Sequence, residues 1–244
     1  MRNDNNSYTV VVSQPMYFPW IGLFQQINRC DAFVFYDDVQ FTRGFFNRVQ
    51  LKNKDGIVWL TVPLMKWHRG ARISDVQIDN TKPWQSQHLN MLQQAFSQTR
   101  YGADVMDLVQ SVFSRQSDSL SELAIVSTKM MCQYFGLETE KRHFSCSSSL
   151  NVGGKSSERL IEICQHFHAS EYLTGHGARH YLSHEQFENV GLQVNYIDYT
   201  LAPYPQHFGD FTPYVTALDA IAHLGSEAVK LLPAGQISWR AFSQ

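Results

Sequence analysis

At 244 residues the chain is long enough for one large α/β domain with an ample core, and its formal charge of −2 lacks the basic excess of a general nucleic-acid surface. Its four cysteines, Cys30, Cys132, Cys146 and Cys164, show neither Cys-x-x-Cys spacing nor the density of a disulfide framework, which points to a reducing cytoplasm. The polar start MRNDNNSY offers no secretory core, and no later stretch reaches the roughly 20 apolar residues of a membrane span, so a soluble protein handling small molecules is expected.

Thr9–Val12 is a β-branched run suited to a buried strand, which Ser13-Gln14-Pro15 ends. Pro19 suits the first position of a helix, and Trp20, Leu23, Phe24 and Ile27 recur at the spacing of one helical face. Phe33–Tyr36 is the next strand, followed at once by Asp37 and Asp38, then by Gln40, Arg43, Asn47 and Arg48. Strand, crossover helix and strand in so short a span predict a βαβ unit with parallel strands. Ligands of open α/β sheets bind outside the carboxyl ends of strands, so Gln14, Tyr17, Asp37, Asp38 and Gln40 would rim a ligand mouth. The plainer alternative makes the two aspartates solvated turn residues and Tyr17, Phe18 and Trp20 core filler.

Val49–Leu51 and Ile57–Leu64 read as a hairpin around Lys52-Asn53-Lys54-Asp55-Gly56, and Lys66–Arg72 as an exposed basic loop able to clamp an anion or simply to be solvated. Ile73–Ile78 alternates weakly, as a short strand would. Trp84–Phe96, Asp104–Phe113 and Leu120–Phe135 follow helical spacing, with Gly136 at the last C-cap, and together predict a helical insertion over 84–136. The expected architecture is a mostly parallel, Rossmann-like sheet flanked by helices, with that insertion in the middle of the chain.

Lys141–Ser145 returns to strand character and leads to Gly153-Gly154-Lys155-Ser156, where a helix start and a lysine both favour phosphate. The first glycine of a P-loop is absent, since position 149 is serine, so a degenerate phosphate or sugar-nucleotide contact through Lys155 and Arg159 is the expectation. Ser156 or Ser157 would cap the following helix. Glu171–Thr174 is a further strand, Thr174 standing at its mouth, then Ala178–Val190 a helix and Leu192–Tyr199 a strand. His176, His180 and His184 stand one helical turn apart, yet three imidazoles in a straight row spread too far to converge on one zinc ion; a two-ligand site completed by Asp37 or Asp38 is the remaining metal option. Thr200–Pro213 is too rich in proline and aromatics for regular structure, and Tyr204, His207 and Phe208 would form a ring-binding wall or pin the loop to the body. Aromatics gather in 17–46 and 196–214, as if to line one cavity. Tyr214–Leu224 and Ser226–Leu232 read as closing helices.

QPMYFPWIGLFQQI, FVFYDDVQF, Asn47-Arg48, LTVPL, KSSERLIEIC, YLTG and YPQHFGDFTPY resemble the WbqC-like family of bacterial proteins, found among polysaccharide biosynthesis genes. The resemblance spans nearly the whole chain and implies transfer of a glycyl or similar acyl unit to a sugar. A more distant likeness is to nucleotidyltransferases of the HIGH-motif class, which carry histidines where this chain has Pro19-Trp20 and Leu23, so direct nucleotidyl transfer is not implied. Two functional expectations follow. One is a transferase acting on a nucleotide-linked sugar and an activated acyl donor, with Asp37 or Asp38 as base, Gln14, Asn47 and Arg48 orienting substrate, and Lys155 with Arg159 on phosphate. The other is a non-catalytic sugar-nucleotide binding or scaffold protein. The residues name no cofactor and no oligomeric state.

Overall fold

The computed structural model describes residues 7–242, so the polar opening at 1–6 lies outside the described residues. In chain order the elements are β1 (Thr9–Ser13), α1 (Ile21–Arg29), β2 (Ala32–Phe35), β3 (Arg48–Asn53), β4 (Gly56–Thr61), α2 (Trp84–Phe96), α3 (Gly102–Phe113), α4 (Leu120–Tyr134), β5 (His143–Cys146), α5 (Ser156–His166), β6 (Glu171–Thr174), α6 (His184–Asn189), β7 (Gln193–Asp198), α7 (Leu218–Leu224), β8 (Gly235–Ser238) and α8 (Trp239–Phe242). Six strands form one sheet in the order β5-β2-β1-β6-β7-β8, parallel throughout except for the antiparallel pair β7–β8. The fold is α/β, as its strand–helix alternation predicts.

The alternation along β1 explains the layering. Val11 points into one core with α1, α2, α3, α4 and α7, while Val10 and Val12 point into the other with α5 and α6. Strands covered on both faces need apolar residues at consecutive positions, and Thr9–Val12 supplies them. The chain runs outward from β1 to β2 and β5, then returns to the other side of β1 with β6 and β7. The strand order therefore reverses between β1 and β6, where open α/β sheets place their ligand crevice. The βαβ unit is present, with Val10 beside Ala32 and Ser13 beside Phe35 in parallel register.

Between β2 and β5 the chain adds the two-stranded hairpin β3–β4 and the helices α2 to α4. Ser119 caps α4 by accepting from the Glu122 amide, and Gly136 follows the helix with φ of +67°, a conformation that glycine adopts without strain.

Several expectations need correction. Pro19 does not open α1; Trp20 holds the cap position and the helix begins at Ile21. Ile73–Ile78 is no strand, since Ile73–Asp75 forms a 3₁₀ turn closed by Arg72 and Asp75. The expected helix Ala178–Val190 divides into a 3₁₀ turn at His176–His180 and α6 from His184, because Ser183 turns out to give its amide to Ser157 Oγ. Neither Ser156 nor Ser157 caps α5, since both are already helical residues and the cap position is Lys155, with no side-chain bond. The closing helices are α7 and a 3₁₀ stretch at Gly225–Leu231, after which β8 adds an antiparallel edge that the sequence pattern did not announce.

Candidate functional site

At the carboxyl end of β2, Asp37 is buried and accepts from Ser147 Oγ at 3.1 Å, Ser148 N–H at 3.0 Å and Ser148 Oγ at 2.6 Å. Asp38, beside it, accepts from Ser147 Oγ and from the Arg159 guanidinium, in an ion pair whose side chains are 12% and 18% exposed. Ser147 and Ser148 belong to a 3₁₀ turn directly after β5, and Arg159 lies in the first turn of α5. Four donors on two carboxylates thus fasten the β5–α5 connection to the end of β2. The three serines at 147–149 are held, each by a side-chain hydrogen bond.

Arg159 also lies over the Tyr36 ring, 5.5 Å from its centroid. Burial raises the Tyr36 hydroxyl pKa, with Arg159 opposing and Asp38 reinforcing the rise. The Nε of Arg159 is buried with no acceptor among the described residues, a donor whose desolvation an incoming oxygen would offset. Lys155 and Ser156 stand exposed at the start of α5, on a turn where Gly154 takes φ of +76°. A side chain at Gly154 would come within 3.0 Å of the Arg159 amide, so glycine is required for this turn to close over the helix start. Cys146, at the end of β5, is half-buried, and its thiol pKa is raised by burial first and then by Asp37. Ser147, Ser148, Tyr36 and Cys146 were not expected at this site; for the two serines the available signal is their place directly after a strand.

The remaining expected residues make no hydrogen bond to this cluster among the described residues. Gln14 is half-buried where β1 ends, and Thr174 is buried at the end of β6, accepting weakly from Tyr172 O–H at 3.4 Å. Gln40 is exposed and bridges to Arg72 through its backbone. Tyr17 is fully buried, donating its hydroxyl to His88 Nδ1 at 2.9 Å. Burial lowers the His88 pKa to about 4, against a bond to the Thr61 backbone that raises it, so the ring is neutral and holds the tyrosine. Trp20 packs on Tyr199 at 5.1 Å and Tyr214 at 6.0 Å, and its indole covers Gly22, where a Cβ would stand 2.3 Å from the ring. The amino end of α1 is therefore roofed by an aromatic where the HIGH-motif enzymes carry a histidine.

Two hollows flank the hairpin instead. One, of about 240 Å³, is lined by Met16, Tyr17, Trp20, Phe45, Val49 and Tyr214, so the two aromatic-rich stretches do meet in one cavity. The other, of about 260 Å³, gathers Arg43, Asn47, Arg48, Thr61 and Trp67. Arg43 lies 5.2 Å over Trp67 and Arg48 4.3 Å over Trp59, contacts in which the ring quadrupole attracts the cation. Asn47 is a structural clamp: its Nδ2 donates to the Val62 carbonyl while its own carbonyl accepts from the Val62 amide.

In the 200–214 segment Tyr204 donates to Asp219 Oδ1 at 2.9 Å, and burial with that carboxylate drives its pKa upward. His207 gives its amide to His223 Nε2, and Lys52 reaches the Gly209 and Asp210 carbonyls. These bonds fasten the loop, leaving Phe208 exposed. The histidine row is broken as well. His176 Nε2 bonds to the Ile197 carbonyl and His184 Nε2 to the Tyr196 hydroxyl, and no metal-holding group of three ligands occurs among the described residues.

The model of the WbqC-like protein family matches residues 14–231. The chain belongs to the WbqC-like protein family. The match takes in α1, the aspartate pair, the hairpin and the Gly153–Arg159 turn. Among curated proteins, the uncharacterized protein Rv1507c of Mycobacterium tuberculosis is 32% identical over 223 residues, covering 90% of this chain and 95% of its own. No solved structure matches. No helix is long and apolar enough to cross a membrane among the described residues.

Proposed function

We propose that this WbqC-like protein is a transferase that attaches an acyl or aminoacyl group to a nucleotide-linked amino sugar in surface polysaccharide biosynthesis. The observation that carries the reading is the junction of Asp38 with Arg159, which puts a carboxylate, a buried unspent guanidinium N–H and the exposed Lys155 turn on one edge of the sheet. Phosphate oxygens on Arg159 Nε and Lys155 would satisfy both donors. Asp37, saturated by the serines, positions the turn, while Asp38 takes the proton as the sugar nitrogen attacks the acyl carbon. The new C–N bond forms, the bond from the acyl carbon to its carrier breaks, and the proton passes from Asp38 to the departing carrier group.

Incubation with nucleotide-linked amino sugars and activated acyl or aminoacyl donors, followed by mass spectrometry, is expected to show the acylated sugar. Asp38→Asn should lower turnover by about 100-fold or more, in line with loss of a general base. A folded Asp38→Asn protein with undiminished turnover would remove the base from the scheme. A second reading, a sugar-nucleotide binding protein without turnover, is favoured by the protein donors already held by each carboxylate. It predicts calorimetric binding that Lys155→Ala weakens, with no product under any donor.

A further inference from the structure

On the β3–β4 hairpin, Val49, Leu51 and Leu60 face the core, while the cross-strand partners Arg48 with Thr61 and Gln50 with Trp59 share the opposite face. No helix or strand covers that outer face among the described residues. Ile57 is 45% and Phe45 54% exposed, and the Phe45 ring lies 5.8 Å from Trp59. The loop that Lys52 ties down brings exposed Phe208 alongside, and the Thr216 amide, bonded to the Gln50 carbonyl, brings Tyr214 along β3. Of the nine large hydrophobic side chains most exposed among the described residues, Phe45, Ile57, Trp59, Phe208 and Tyr214 lie here, so the exposure is concentrated.

Charge is concentrated in the same place. Residues 43–72 carry seven lysines and arginines against the single Asp55, and although Lys52 is buried under the 206–210 loop and Arg72 pairs with Asp75, the other five leave a basic surplus in a chain whose formal charge is −2. Lys54, Lys66 and Arg69 are exposed and form no ion pair among the described residues. We infer that this hairpin face docks on an anionic lipid surface, with Phe45, Ile57 and Trp59 entering the interfacial layer and the flanking lysines and arginines on lipid phosphates. Amphipathic aromatic rings favour the headgroup level of a bilayer, and basic residues beside them are drawn to anionic lipid. A surplus of one sign suits a uniformly negative surface. A second copy meeting this face with its own would set basic residues against basic residues, and lysine is depleted at protein–protein interfaces. The inference is independent of the transferase reading, since it needs no chemistry at Asp38.

The test is sedimentation of the full chain with vesicles of phosphatidylcholine containing 30–50% phosphatidylglycerol, beside vesicles of phosphatidylcholine alone (about the range in which anionic surface potential is strong). The expected result is binding to the anionic vesicles at low salt, weakened but not abolished by about 0.5 M salt as screening shortens the Debye length. The Lys66→Gln, Arg69→Gln variant should bind roughly 10- to 30-fold more weakly, and Phe45→Ser, Trp59→Ser should lose the salt-resistant remainder, each with unchanged circular dichroism. Equal sedimentation with both vesicle types, or folded variants that bind like the parent, would overturn the inference. So would analytical ultracentrifugation showing a dimer that the Phe45→Ser, Trp59→Ser change dissolves, because the face would then belong to a second copy.

Discussion

Arg159 at the sheet edge rests between a carboxylate and a tyrosine ring, whereas Arg48 on the hairpin rests on an indole with no ion-pair partner among the described residues. The first cluster is an internal network: Asp37 and Asp38 are satisfied by Ser147, Ser148 and Arg159, and the network's product is a fixed connection between β2, β5 and α5. The second is outward, its cations steadied by aromatics but unneutralised. The difference teaches that two adjacent acids need not share a role: Asp37, buried under three donors from the serines, is expensive to disturb and serves as a joint, while Asp38, with one hydroxyl and the Arg159 guanidinium, is the acid that the proposed chemistry uses. Arginines held by ring faces keep their N–H groups available for an anion.

Replacing Asp37 should have the largest effect. Asp37→Ala leaves one hydroxyl, one amide and a shared serine without their acceptor in a buried place, and should cost about 3 kcal/mol in urea unfolding. A loss of turnover without that loss of stability would move Asp37 from joint to catalyst and break the contrast.

Next comes the buried Tyr17–His88 pair. The folded state holds His88 with a pKa of about 4, below its ordinary 6.5, so the unfolded chain binds the extra proton between those values. Its contribution is fully present above pH 6.5 and is lost as pH falls toward 4, by up to roughly 3 kcal/mol. His88→Gln should flatten the pH dependence of the unfolding midpoint in that window; an unchanged slope would assign it to other groups.

Gly22→Ala sharpens the comparison at the first hollow. Its Cβ would meet the Trp20 indole at 2.3 Å, so the ring must swing away or the helix must shift, at about 1–3 kcal/mol. Trp20 fluorescence together with thermal unfolding reports which occurs. The smallest effect on stability belongs to Arg48→Gln, expected within about 0.5 kcal/mol because the side chain is exposed. If calorimetry with pyrophosphate shows weaker binding for Arg48→Gln than for the parent protein, the outward reading of the hairpin arginines gains support; a large loss of stability instead would make Arg48 a structural residue.

Much of the fold was legible because its signals are local. Consecutive apolar residues at Thr9–Val12 and Phe33–Phe35, helical recurrence at Trp84–Phe96 and Leu120–Tyr134, and Asp-Gly at the hairpin tip each reflect the neighbours of a residue within one element. The errors fell where a distant partner decides. Ser183 ends the turn before α6 by bonding to Ser157, 26 positions away, and β8 forms only because β7 presents an open edge. The histidine spacing had the same weakness, since a helix was assumed where the chain breaks.

The candidate site divides in the same manner. From the chain alone come the acids at a strand end, the glycine–lysine turn before a helix, the aromatic wealth of two stretches and the membership of the WbqC-like family. Those follow from residue type and spacing over a few positions. Which acid meets which base, that the serines after β5 are the donors, that Tyr204 spends its hydroxyl on Asp219, and that Trp20 and Tyr214 share a hollow are tertiary decisions. A hydrogen bond or a shared wall depends on where two remote segments lie to within an ångström, and no periodicity in either segment carries that distance.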